Sequence, residues 1–76
     1  MDLKDELLSQ RVYSLLHQVK ELGHLPIKPV CRKGVVYLRG RVDAPEKLSL
    51  AKELAESITG VRAVVNQLGL LGDKRE

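Results

Sequence analysis

Three side chains that can ligate a metal or attack an electrophile, His17, His24 and Cys31, recur at seven-residue intervals. Structural zinc sites are built from Cys and His in close pairs. Here the three fall on different elements: His17 on the solvent side of a first helix, His24 in the turn after it, and Cys31 on the inward side of a strand. That reading predicts no metal and no cofactor, with Cys31 acting as a small buried hydrophobe. Ser9, Ser49 and Ser57 all map to helix surfaces, and no Gly-x-Ser-x-Gly elbow is present. Gly34, Gly40 and Gly60 are too far apart for a phosphate loop. The expected class is a binding module, not an enzyme.

Positive charge is concentrated in one stretch. Residues 27 to 42 contain Lys28, Arg32, Lys33, Arg39 and Arg41, and all 10 acidic residues lie elsewhere. A net charge of +3 names no partner by itself, so the placing of the charge carries the argument. On paired strands, alternation brings Lys28 and Arg32 to the same side as Arg39 and Arg41, with Tyr37, Val30, Val35 and Val65 among them. Three uses stay open for that face. Edge strands carry Lys and Arg simply to stay solvated and unaggregated. The valines point to weak self-association or docking of another protein. The cations point to an anionic surface, with lipid headgroups favoured over nucleic acid, because sheet-based RNA readers stack bases on two or three aromatic rings and Tyr37 is alone.

The elements that must position these residues follow from periodicity. Residues 2 to 22 place Leu8, Val12, Leu15, Leu16, Val19 and Leu22 on one helical face, with Asp2 as N-cap, Asp5 and Glu6 in the first turn, and Gly23 as the left-handed stop. Residues 26 to 32 read as a strand whose Pro26 and Pro29 confine it to a sheet edge. Lys33-Gly34 turns the chain into a second strand, 35 to 42, with Val36, Leu38 and Val42 on one side. Asp43-Ala44-Pro45-Glu46 opens a second helix, 45 to 59, striped by Leu48, Leu50, Ala51, Leu54, Ala55 and Ile58 and stopped by Gly60. Residues 61 to 71 form the last strand. A helix between strands two and three implies a right-handed crossover and a parallel pair. The predicted fold is α+β: an αββαβ sandwich with two helices on one face of a three-stranded mixed sheet. Its predicted core is Leu8, Val12, Leu15, Leu16, Val19, Val36, Leu38, Leu54, Ile58, Val64 and Leu68. One domain spans 1–72, and a flexible polar tail occupies 73–76.

In this order the residues resemble a known family. Gly34 to Val42 (Gly-Val-Val-Tyr-Leu-Arg-Gly-Arg-Val), a helix carrying Ala51 and Ala55, and Gly60 to Leu68 (Gly-Val-Arg-Ala-Val-Val-Asn-Gln-Leu) are similar to the BON domain over about residues 3 to 71. The resemblance implies the same αββαβ sandwich and a non-enzymatic module that contacts phospholipid surfaces, with ion-responsive regulation known among relatives. The glycines have physical readings. Gly34 takes a positive φ in the hairpin turn, Gly40 admits the second helix or forms a bulge, and Gly60 caps the second helix.

The expected function is attachment to anionic phospholipid surfaces through Lys28, Arg32, Tyr37, Arg39 and Arg41. The alternative is a protein-interaction or oligomerisation module. The chain opens Met-Asp-Leu-Lys-Asp, without a basic segment leading into an apolar run. It also has no apolar stretch near the roughly 20 residues of a membrane span. As written it is expected in the cytoplasm. Cut from a longer protein, it would be periplasmic or membrane-associated.

Overall fold

β2 is the strand on which the other elements are built. A computed structural model describes residues 3–71. The elements run α1 (Leu3–Gln18), β1 (Ile27–Arg32), β2 (Val35–Val42), α2 (Pro45–Glu56) and β3 (Ala63–Leu70). The sheet order is β1-β2-β3. β1 pairs antiparallel with β2 and β3 pairs parallel with it, so the sheet is mixed, as the crossover argument requires. Both helices lie on one face. The fold class and the strand pairing are those expected from the sequence. Asp2 and the 73–76 tail lie outside the described residues.

Alternation on β1 and β2 is strict where it matters. Ile27, Pro29 and Cys31 on β1 are buried, as are Val36, Leu38 and Val42 on β2. Leu16, Leu22, Leu38, Val12, Val36 and Val42 are the largest side chains wholly removed from solvent. Each contributes about 1.5–3 kcal/mol relative to an exposed position. α2 reaches the core through its two small residues: Ala51 and Ala55 are both fully buried.

Four expectations need correction. First, the core sits nearer β1 than periodicity implied. Leu22, Leu25, Ile27, Cys31, Val42, Ala51 and Ala55 belong to it, whereas Leu8, Val19, Leu54, Ile58, Val64 and Leu68 are half-buried against its rim. Leu15 is also only half-buried, beside Leu7 and Ile58 in a shallow surface groove. Second, α1 ends at Gln18. The N–H groups of Leu22 and Gly23 both donate to the Val19 carbonyl, and Gly23 is not among the residues with positive φ, so it is not a left-handed cap. Third, α2 ends at Glu56 with Ser57 as C-cap. Gly60, at φ 101°, serves the later turn into β3 instead. Fourth, Gly40 answers to β1 and not to the second helix. At φ 123°, any Cβ there would lie 1.8 Å from the Pro26 carbonyl oxygen.

Candidate functional site

The basic face is organised from the hairpin turn outward. Lys33 (φ 52°) and Gly34 (φ 82°) both take the left-handed conformation, the pattern of a two-residue type I′ turn. A non-glycine residue there is disfavoured, and the compensation comes from α1. The Asp5 carboxylate accepts hydrogen bonds from Lys33 N–H at 2.8 Å and Gly34 N–H at 3.1 Å. Successive N–H groups in such a turn form an anion-binding concavity, and this chain fills its own. The Cys31 thiol donates to Asp5 Oδ1 at 3.6 Å. The Cys31 N–H donates to Ser9 Oγ at 2.9 Å.

The electrostatics agree with this geometry. The Lys33 N–H is the main influence holding the Asp5 carboxyl below its usual value; burial opposes it, and the Gly34 N–H and the Cys31 thiol reinforce it. Burial first, then the Asp5 charge, pushes the Cys31 thiol above its usual value. Cys31 is fully buried, which makes it a poor nucleophile. Nothing local in the sequence flagged Asp5 or Ser9. Their roles appear only once α1 is laid across the hairpin.

The three potential metal ligands sit in separate surroundings. His17 Nδ1 lies 3.0 Å from the Tyr13 carbonyl, and its ring stacks on Tyr13 with centroids 4.0 Å apart. His24 lies 3.8 Å from Asp43. The Asp43 carboxyl is held below its usual value chiefly by a hydrogen bond from Lys47. Cys31 belongs to the Asp5 network. Among the described residues, no group of three or more His, Cys, Asp or Glu is arranged to hold a metal.

The face away from the helices carries the charge. The pairing registers set Lys28 opposite Arg39 and Gln67 beyond it, Val30 opposite Tyr37 and Val65 beyond it, and Arg32 opposite Val35 and Ala63 beyond it. Arg41 lies against Gly69. Lys28, Arg32, Arg39 and Arg41 are exposed and Tyr37 is half-buried at their centre, so all five expected residues share one face. Two shallow depressions flank Tyr37. One is lined by Val30, Arg32, Tyr37 and Arg39, the other by Arg32, Lys33, Val35, Tyr37, Arg62 and Ala63.

Arg62 was not foreseen as part of this surface. Its N–H donates to Gly34 O at 2.7 Å, which brings its side chain beside the turn. Gln67 was also missed; it accepts from Arg39 Nε at 3.2 Å. The ion pairs of the described residues, His24–Asp43, Lys47–Asp43 and Lys52–Glu56, use none of the face cations. Lys28 faces Arg39 directly, a like-charge pair that destabilises a sheet unless an anion lies between.

No helix among the described residues is long and apolar enough to cross a membrane. No curated protein matches the chain. The BON domain family model does match, over residues 4–71, and that span holds α1 but for Leu3, all of α2, the whole sheet and every residue of the basic face. The chain belongs to the BON domain family.

Proposed function

We propose that the protein is a non-catalytic module that attaches to anionic phospholipid surfaces through the outer face of its sheet. One observation carries this reading: Lys28, Arg32, Arg39 and Arg41 surround Tyr37 on a face that, among the described residues, no helix covers and no acid shares. Family membership supports it, since BON domains are regarded as phospholipid-binding modules. A face with only shallow depressions suits a broad surface better than a small ligand held in a deep pocket.

The magnitude of binding follows from the charges. Near an anionic membrane each Lys or Arg contributes about 1 kcal/mol. Four such residues give about 4 kcal/mol, a dissociation constant near 1 mM. One domain alone therefore binds weakly, reversibly and in a salt-sensitive way.

Vesicle co-sedimentation tests this directly. The wild type is expected to pellet with phosphatidylserine or phosphatidylglycerol vesicles and not with phosphatidylcholine. Binding should fade as ionic strength approaches about 1 M, where the Debye length shrinks to about 3 Å. Arg39→Glu with Arg41→Glu should abolish it. No binding by the wild type to any anionic vesicle, or binding unchanged by the double reversal, would leave docking of a protein on the apolar row Val30, Tyr37 and Val65 as the better account.

A further inference from the structure

Three cations meet at the turn end of the sheet. Arg32 is the last residue of β1, Lys33 opens the hairpin turn, and Arg62 immediately precedes β3. Their side chains line one shallow depression together with Val35, Tyr37 and Ala63, and no acid lines it. All three cations are exposed, and none belongs to an ion pair of the described residues. The turn N–H groups of Lys33 and Gly34 are already committed to Asp5 on α1. An anion in the depression is therefore met by side chains.

Two of these cations are held in place. Gly34 has no Cβ, and the Arg62 stem lies in that space: a Cβ there would stand 2.8 Å from Arg62 Cδ and 2.9 Å from its Cγ. The Arg62 backbone N–H donates to Gly34 O at 2.7 Å, and its guanidinium donates to Lys33 O at a longer 3.5 Å. A guanidinium fixed in this way loses less freedom when it binds. Lys33 is placed by its backbone. At φ 52° it takes the left-handed conformation, at a position where two-residue hairpin turns favour Asn, Asp or Gly. Asp5 holds that turn through backbone N–H groups, a service open to any residue there. What the lysine adds is its ammonium.

We infer that Arg32, Lys33 and Arg62 form the seat of a phosphomonoester headgroup, a lipid phosphate esterified through one oxygen only. The inference rests on the proposed lipid-facing role of this sheet face and narrows it to a headgroup class. A phosphomonoester carries about −1.5 to −2 charge at pH 7 and presents three acceptor oxygens. A phosphodiester carries about −1. Two guanidinium forks and an ammonium offer donors to all the free oxygens of a monoester at once. The apolar floor of Val35, Tyr37 and Ala63 lowers the local dielectric and strengthens each charge contact. The other end of the face is built differently. Arg39 already donates to Gln67 at 3.2 Å, and Arg41 lies against Gly69, outside both depressions. Those residues supply general attraction, and the turn end supplies the choice of headgroup.

The test is vesicle co-sedimentation at low salt, with phosphatidate or phosphatidylglycerol in a phosphatidylcholine background and the two sets matched in surface potential. The wild type is expected to bind the phosphatidate vesicles about fivefold more tightly, the worth of one further cation contact. Arg62→Lys keeps the charge and loses the fork. Lys33→Gly removes the ammonium and suits the left-handed turn. Each should cut the preference to less than about twofold with an unchanged circular dichroism spectrum, and Arg62→Lys should leave phosphatidylglycerol binding as it was. Equal binding of the two vesicle types by the wild type would overturn the inference and leave the general lipid reading standing. A preference that survives both substitutions would overturn it as well. Binding to no anionic vesicle would remove the inference together with the reading beneath it. Displacement from phosphatidate vesicles by micromolar glycerol 3-phosphate would give the seat to a soluble phosphate and overturn its assignment to lipid.

Discussion

Asp5 sits in the first turn of α1, where an acid is expected merely to complement the helix dipole. Its carboxylate instead holds the Lys33-Gly34 turn through two N–H groups. The pH dependence of stability follows from the sign of its shift. The folded carboxyl titrates below the usual Asp value of 3.8, so the unfolded chain takes up the proton first. The stabilisation is fully present above 3.8 and is lost as pH falls through the lower folded value. Asp5→Ala is expected to lower the thermal midpoint at neutral pH, because it strands two turn N–H groups. The gap from wild type should narrow as pH drops below the usual Asp value. A gap that is constant across that range would show that the Asp5 charge does not hold the turn.

At the scale of the element, strand identity was legible and helix length was not. Val35 to Val42 alternate cleanly, and the proposed boundaries of β2 match those observed. Residues 19 to 25 continue an apolar pattern past α1, with Leu22 and Leu25 both buried, but they do so from a series of turns. Periodicity reports which residues face the core, and a turn that wraps inward satisfies it as well as a helix does. α2 stops where the Ser57 hydroxyl donates to Leu54 O at 2.6 Å, a local bond by which serine competes with the helical ladder. The basic face was readable because a strand period of two fixes which residues share a side. Arg62 and Gln67 were missed because their place depends on how β3 registers with β2.

The contact between β1 and β2 also rests on one backbone position. Gly40 has φ 123°, with Pro26 O where a Cβ would go, while the Arg41 N–H donates to that same carbonyl at 3.2 Å. Gly40→Ala forces a side chain into a disfavoured backbone region, at about 1–3 kcal/mol for the conformation alone. Relief of the clash would further pull Pro26 from Arg41. A loss of unfolding free energy of at least that size, read from urea denaturation, is expected. A variant within about 0.5 kcal/mol of wild type would mean that β1 shifts freely and that the Pro26 contact is not structural.

For the whole molecule, the proposed lipid contact is limited by copy number. Four cations on one face give a dissociation constant near 1 mM. Two copies joined by a flexible linker would carry twice the cations without changing any residue of the basic face. The second half then binds as an intramolecular step, which raises apparent affinity by about 10²–10⁴ when both halves reach the surface. On anionic vesicles at low salt, such a tandem is expected to need at least tenfold less protein than the single domain for equal binding. Arg39→Glu with Arg41→Glu in one half should return the tandem to the level of the single domain, because only one basic face is then left. A tandem that binds no better than the single domain would mean that the basic face is not what meets the vesicle.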